Sequence, residues 1–236
     1  MAHFYTADSA LMTPIASREM RSGFVTLVGR PNVGKSTLLN AMCGSKVSIV
    51  SDKPQTTRRQ VRGVLTRPDA QIVFVDTPGL HKAVSALGTR VNTAALESIA
   101  DVDVSVLVID ATQPFGTGDK WVAERLDMSR TVVVVNKWDL LEGDPKAEEK
   151  VRTQLADRID FVPWAPVVLA SALKRSRVNK VLDLAIRLYD QSTSRLPTPA
   201  LNAWLQDVQD SQPAPLWRGF PVKFYYAVQV GTRPIT

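Results

Sequence analysis

The sequence predicts an α/β fold in which a mostly parallel six-stranded sheet carries helices on both faces. Two observations lead to this prediction: short apolar runs alternate with stretches of helical character, and most of these runs are apolar throughout. Strands without polar alternation are expected to be buried on both faces, as in parallel sheets. The exception is a pair of strands joined by the turn Pro68–Asp69, which is too short for a crossover and predicts antiparallel pairing.

The individual elements follow in the order that this fold requires. Strands are predicted at Phe24–Val28, Gln60–Thr66, Gln71–Asp76, Val104–Asp110, Thr131–Asn136 and Pro166–Ala170. Helices are predicted at Lys35–Cys43, Asn92–Ala100, Thr117–Leu126, Ala147–Ile159 and Val178–Asp190. Loop residues follow the carboxyl ends of the strands, where an open α/β sheet binds its ligands.

A change of composition after Asp190 predicts a second, smaller unit. We divide the chain into a flexible leader (1–22), an α/β domain (23–190), a linker (191–197) and an α+β unit (198–236). Thr198 is expected to cap a helix with Pro199 at its first position. A strand is predicted at Val222–Val230, and one helix with one strand cannot bury a core, so we expect this unit to be incomplete.

Three aromatic residues in the predicted last strand have two interpretations. Phe224, Tyr225 and Tyr226 could stack on nucleic-acid bases, but their β-propensity favours packing in the core of the strand. In the α/β domain, Met42 and Cys43 are expected to pack a helix under the sheet.

Composition restricts the class of protein. Of the 236 residues 44% are hydrophobic, which excludes wholesale disorder. A net charge of +6 favours acidic partners such as nucleic acid, a membrane surface or phosphorylated ligands. The single cysteine, Cys43, allows no internal disulfide and suits the cytoplasm. No apolar run reaches the roughly 20 residues that span a bilayer.

The run Gly29–Ser36 has the spacing G-x-x-x-x-G-K-[ST] between a predicted strand and a predicted helix. Its glycines let the backbone fold around phosphates, and the helix amino terminus adds positive potential. Lys35 is expected to reach the β- and γ-phosphates, and Ser36 is expected to ligate Mg²⁺. The sequence thus predicts a P-loop nucleotide site.

Two further motifs end later strands. Asp76 is expected in the Mg²⁺ shell, and the N–H of Gly79 is expected to face the γ-phosphate. In Asn136-Lys-Trp-Asp139, the aspartate can accept two hydrogen bonds from guanine, which adenine cannot supply. Lys137 can pack its stem along the base. After the last strand, the backbone of Ser171-Ala-Leu173 is expected to meet the guanine oxygen.

These motifs resemble the Era/Der group of bacterial ribosome-assembly GTPases over about residues 22–236. The front half is similar to Era, through Gly29–Asn40, Pro54–Arg58, Asp76–Lys82 and Ala86–Gly88. From Asn136 onward the chain is similar to the second GTPase module of Der and the start of its KH-like domain, through Asn136–Leu141, Trp164–Val167, Leu196–Asn202, Tyr226–Gln229 and Thr232–Pro234.

The resemblance implies further roles. Thr57 matches a switch threonine that ligates Mg²⁺, and Asn32 matches an asparagine that ligates K⁺ in potassium-activated relatives. Leu80 occupies the position of the water-orienting glutamine of Ras-like proteins, so unassisted hydrolysis is expected to be slow and stimulated by K⁺ or a partner. Lys35, Thr57 and Gly79 form the predicted catalytic set.

The resemblance implies a cytoplasmic GTPase switch that acts in ribosome biogenesis and binds a ribosomal subunit or rRNA. Its Era-like half points to the small subunit and its Der-like half to the large one. The alternative is a guanine-nucleotide-dependent RNA or protein interaction module with negligible turnover. The predicted nucleotide-binding residues are Gly29, Asn32, Val33, Gly34, Lys35, Ser36, Thr37, Asp76, Gly79, Asn136, Lys137, Asp139, Ser171, Ala172 and Leu173.

Overall fold

The structure, a computed structural model, describes residues 20–44, 60–76, 99, 101–158, 165–212, 216–232 and 236. Most of the predicted leader lies outside these residues. So does the predicted helix Asn92–Ala100, except for Ile99, which is helical and buried.

Six strands form one sheet in the order β2-β3-β1-β4-β5-β6. Their bounds are β1 Arg21–Val28, β2 Gln60–Thr66, β3 Ala70–Asp76, β4 Val104–Asp110, β5 Thr131–Asn136 and β6 Val167–Leu169. β2 and β3 pair antiparallel, and every other neighbouring pair is parallel. The strand order reverses beside β1, which lies between β3 and β4. A ligand crevice is therefore expected at the carboxyl end of β1.

The described helices are α1 (Lys35–Cys43), α2 (Thr117–Ala123), α3 (Ala147–Arg158), α4 (Val178–Thr193) and α5 (Thr198–Ser211). Apolar side chains form one core on each side of the sheet. One packs α1 and α4 against the sheet and includes Leu38 and Val181, and Met42 and Cys43 are buried there as predicted. The other includes Val122 of α2 and Leu155 of α3. Helices thus cover both faces, as the continuous apolar strands predict.

Several element ends differ from the prediction. α4 continues to Thr193 instead of ending at Asp190, whereas α2 ends at Ala123 instead of Leu126. Pro197, not Thr198, occupies the cap position of α5, because the N–H of Leu201 already bonds to the Pro197 carbonyl. Helix ends depend on such local bonds more than on apolar periodicity.

The prediction of a strand at Val222–Val230 is wrong. The segment has no regular secondary structure over 222–230, and it joins no ladder among the described residues. Side-chain amides of α5 bind its backbone instead: Asn202 holds Ala227 and Gln209 holds Phe224. The preference for core packing of the three aromatics is also wrong, since Phe224, Tyr225 and Tyr226 are 53%, 84% and 66% exposed.

Two very short strands, β7 (Leu216–Trp217) and β8 (Phe220–Pro221), form an antiparallel pair in this second unit. Across the described part of the chain, no helix is both long and apolar enough to cross a membrane.

Candidate nucleotide-binding site

The phosphate loop Gly29–Gly34 connects β1 to α1, and glycine is required at both of its ends. Gly29 has φ +145°, and a Cβ there would lie 2.3 Å from the Val108 carbonyl oxygen. Gly34 has φ +96°, and a Cβ there would lie 2.3 Å from the amide nitrogen of Asn136. A side chain at either position would both strain the backbone and collide with a neighbouring strand end.

Lys35 begins α1 and turns back over the loop. Its ammonium donates to the carbonyl oxygens of Gly29 at 2.8 Å and Arg30 at 2.7 Å. Ser36 and Thr37 follow on the exposed first turn, and Val33 is buried beneath the loop. Asn32 is exposed at the loop tip in a left-handed conformation, with φ 63°. The first turn therefore presents an ammonium and two hydroxyl groups at the carboxyl end of β1.

Asn136 joins three loops. It ends β5 and is 2% exposed. Its amide nitrogen donates to the Val33 carbonyl at 2.9 Å, and its amide oxygen accepts from the Ala172 N–H at 3.0 Å. One side chain thereby connects the phosphate loop to the two segments predicted to read guanine. A buried amide with both ends bonded fixes the relative positions of those loops.

Lys137 and Asp110 form a second connection. Asp110 lies opposite Asn136 in the parallel register of β4 and β5. The Lys137 ammonium approaches the Asp110 carboxylate to 2.6 Å, and Thr112 donates to the same carboxylate through its N–H at 2.9 Å and its hydroxyl at 2.7 Å. Burial alone would raise the pKa of Asp110, but the hydrogen bonds from Lys137 and Thr112 outweigh it and leave that pKa below its usual range.

The segment predicted to read guanine, Asn136–Asp139, has an unusual backbone. Lys137 is left-handed, with φ 63°, and a short 3₁₀ turn at Trp138–Leu140 follows it. The Trp138 N–H bonds to the Ala170 carbonyl, which ties this turn to the loop after β6. Asp139 is half-buried in the turn, whereas the Trp138 ring packs against the core.

The loop after β6 is held by its own hydrogen bonds. Ser171 and Ser176 exchange two backbone hydrogen bonds, and the Ser171 hydroxyl accepts from the Lys174 N–H. Ser171 and Ala172 are buried, whereas Leu173 is 79% exposed. The buried residues fix this loop beside Asn136.

The structure thus brings the predicted phosphate and guanine motifs to one edge of the sheet. β3 also ends there with Asp76, because it runs parallel to β1. Three other predicted residues, Thr57, Gly79 and Leu80, lie outside the described residues.

Sequence reasoning missed two polar pairs near the site: Lys137 with Asp110, and Arg30 with Asp119. The run Val104–Asp110 contains a signal for the first pair, since an aspartate that ends a mostly apolar, buried strand must find a partner. The second joins residues 89 positions apart, and spacing alone gives no sign of it.

Comparison with known protein families agrees with this arrangement. Residues 24–137 match the family described as 50S ribosome-binding GTPase. Residues 195–236 match the KH-domain-like C-terminal part of EngA bacterial GTPase enzymes. Together, the fold and the candidate site are those of a P-loop GTPase domain. A KH-like unit follows this domain.

Two individual relatives show more narrowly which GTPases this chain is similar to. The chain is 41% identical to GTPase Der of Myxococcus xanthus over 218 residues, which cover 90% of this chain and 47% of the relative. It is 40% identical to GTPase Era of Clostridium kluyveri over 180 residues, which cover 75% of this chain and 60% of the relative. The chain is a homologue of both the Der and the Era GTPases, and it spans about half of the Der relative's length.

Solved structures confirm the predicted fold class. An Aquifex aeolicus Era structure bound to GDP·AlF₄⁻ superposes with TM-score 0.58 and 32% identity, and covers 72% of this chain and 57% of the other. Era in complex with MgGDPNP and a segment of 16S ribosomal RNA gives TM-score 0.58 and 33% identity, and covers 75% of this chain and 60% of the other.

Proposed function

We propose that this chain binds Mg²⁺–GTP at the described sheet edge and hydrolyses it as a nucleotide-dependent switch in ribosome assembly. The observation that carries the proposal is the buried amide of Asn136. It bonds to the phosphate loop at Val33 and to the loop after β6 at Ala172, so both ends of one nucleotide can be held together.

Guanine selectivity rests on Asp139. Its carboxylate would accept hydrogen bonds from the N1–H and the exocyclic amine of guanine. Adenine offers no such pair of donors, and a carboxylate left unpaired in the site penalises its binding. Lys137, held by Asp110, would lie with its stem against the base, and the backbone at Ser171–Leu173 would meet the guanine oxygen.

The residues present fit a magnesium site. Hydroxyl and carboxylate oxygens are the ligands that Mg²⁺ prefers. Ser36 on the exposed first turn of α1 and Asp76 at the end of β3 belong to neighbouring strand ends, and Thr57 would complete the set. The ion would neutralise charge on the phosphates. Asn32, exposed at the tip of the phosphate loop, is the proposed K⁺ ligand.

Hydrolysis needs a water molecule in line with the γ-phosphorus. The bond from this phosphorus to the bridging oxygen breaks, and GDP and inorganic phosphate leave. Lys35 stabilises the developing negative charge, and the N–H of Gly79 contacts the γ-phosphate, so catalysis consists of positioning and electrostatics. Loss of the γ-phosphate would release the segments near Ser51–Arg58 and Leu80–Gly88.

The ribosomal role follows from the relatives. The Era structure cited above holds 16S ribosomal RNA, and the matched family is described as 50S ribosome-binding. A net charge of +6 suits an RNA partner, and we place the protein in the cytoplasm, where that partner is found. The two descriptions name different subunits. Co-sedimentation with separated small and large subunits, in GTP and in GDP, tests both.

Leu80 supports a second candidate function, a guanine-nucleotide-dependent interaction module with negligible turnover, because leucine cannot orient water. Single-turnover hydrolysis of bound GTP, measured in KCl and in NaCl, separates the two. We expect faster phosphate release in KCl, and Asn32→Ala should remove that difference. Release no faster than in buffer, in either salt and with GTP saturating, would favour the interaction module.

A further inference from the structure

Arg30, the second residue of the phosphate loop, directs its side chain to the start of α2. Its guanidinium Nε donates to the Asp119 carboxylate at 2.7 Å. Asp119 lies in the first turn of α2 and is 1% exposed, whereas the Arg30 side chain is 28% exposed. An ion pair this sheltered is screened far less than one at the surface.

Asp119 is fixed on its own helix as well. Its second carboxylate oxygen accepts from the Gly116 N–H at 3.0 Å, so each oxygen has a separate partner. Gly118 leaves room for the arginine stem, since a Cβ there would lie 2.9 Å from Cδ of Arg30. The start of α2 therefore provides both the space and the charged partner for the Arg30 side chain.

The same arginine contacts Lys35 through its backbone. Its carbonyl oxygen and that of Gly29 accept the two described hydrogen bonds of the Lys35 ammonium. The side chain of Arg30 is thus bound to α2 while its carbonyl holds the lysine. A rotation of the Arg30 peptide would move the ammonium.

Stability alone does not explain an arginine here. One guanidinium nitrogen of Arg30, Nη2, is buried and has no hydrogen-bond partner among the described residues. A buried unsatisfied donor is destabilising, and an apolar side chain of similar length would avoid that cost.

We propose that Arg30 is a positioning residue: its ion pair with Asp119 sets the peptide whose carbonyl places the Lys35 ammonium, and it ties the phosphate loop to α2. The effect on hydrolysis rests on the proposed function, but the placement of Lys35 does not.

The test uses the full chain with Arg30→Met, Asp119→Asn and the double variant. Arg21→Met is the matched control, because Arg21 also pairs with aspartates, Asp69 at 2.7 Å and Asp190 at 2.6 Å, but at the opposite end of β1. In each protein, the reaction rate of Lys35 with an amine-reactive reagent is followed by mass spectrometry without nucleotide. The unfolding midpoint, the Kd for GTP and the single-turnover rate are then measured.

We expect Arg30→Met and Asp119→Asn each to raise Lys35 labelling several-fold and to lower the single-turnover rate about tenfold, as for a misplaced catalytic group. The double variant should be no worse than either single variant, and Arg30→Lys should recover only part of the rate. Arg21→Met should change the unfolding midpoint alone.

Unchanged Lys35 labelling in Arg30→Met would overturn the proposal, whatever happens to stability. If the wild-type protein neither binds nor hydrolyses GTP while labelling still responds to Arg30 and Asp119, the proposed function fails and the positioning role stands.

Discussion

Two asparagine side chains make the same kind of contact in different regions of the molecule. Asn136, at the proposed nucleotide site, bonds to the Val33 carbonyl and the Ala172 N–H. Asn202, on α5, bonds to the carbonyl and the N–H of Ala227, both at 2.8 Å. Asn136 is 2% exposed, whereas Asn202 is half-buried. Water can replace the second pair of bonds far more readily than the first.

The two amides also differ in what they join. Asn136 locks loops that follow three different strands of a buried sheet. Asn202 binds an irregular segment that has no neighbouring strand among the described residues, and its side chain supplies hydrogen bonds that a neighbouring strand would otherwise supply. A polar side chain therefore matters to function through its burial and through the segments it connects, and much less through the number of its hydrogen bonds.

The largest effect is expected from Asn136→Ala. The Val33 carbonyl and the Ala172 N–H lose their buried partner, and each such group costs about 1–3 kcal/mol. The free energy of unfolding should fall by about 2–6 kcal/mol, and the Kd for GTP should rise by about 10- to 100-fold, since every 1.4 kcal/mol is tenfold. Urea unfolding and titration with a fluorescent GTP analogue measure the two quantities. A Kd within about twofold of wild type would show that the amide does not organise the site.

A smaller, pH-dependent effect is expected from Asp110→Asn. Its folded-state pKa lies below the unfolded value of about 3.9, so the carboxylate stabilises the fold above about pH 4. That stabilisation is lost as the pH falls through the lower folded pKa. The variant should lose about 1–2 kcal/mol at pH 7, because Lys137 and Thr112 lose a charged acceptor.

Urea unfolding at neutral and acidic pH checks this prediction. Because the variant has no carboxylate to protonate, its stability should depend less steeply on pH below about pH 4 than that of the wild-type protein. Parallel curves for the two proteins would refute the assigned role of Asp110. Thr112→Val provides a matched control that removes the hydroxyl donor and leaves the charge pair intact.

The smallest effect is expected from Asn202→Ala, the counterpart of Asn136→Ala in the comparison. Loss of its partly exposed bonds should cost less than about 1 kcal/mol, and GTP affinity should not change. The same two measurements apply. A loss of stability as large as that of Asn136→Ala would show that burial does not distinguish the two amides.

The sequence predicts the sheet well because buried strands are defined by their own composition. Three strands, Gln60–Thr66, Val104–Asp110 and Thr131–Asn136, have the predicted bounds, as does helix α1. Val222–Val230 has equally strong β-propensity, but propensity favours only an extended backbone, and a strand also needs a partner at its edge.

The candidate site shows the same difference between features that the local sequence predicts and features that depend on the folded structure. The motif spacing in Gly29–Ser36 and Asn136–Asp139 predicts the loops, because each motif places specific residue types at a fixed local spacing. The contacts between the loops could not be predicted in the same way. Asp110 meets Lys137 only because β4 and β5 pair in a particular register, and that register is a property of the assembled sheet.

Equilibrium binding of GTP and ATP to the wild-type chain and to Asp139→Asn, with Mg²⁺ present, shows whether this edge of the sheet selects guanine. We expect wild type to prefer GTP by at least about 100-fold, because ATP would leave the Asp139 carboxylate without the donor pair that guanine supplies. Asp139→Asn should lose most of this preference while its unfolding midpoint stays near that of wild type. Equal affinity of wild type for the two nucleotides, or an undiminished preference in Asp139→Asn, would contradict a guanine site at this edge of the sheet.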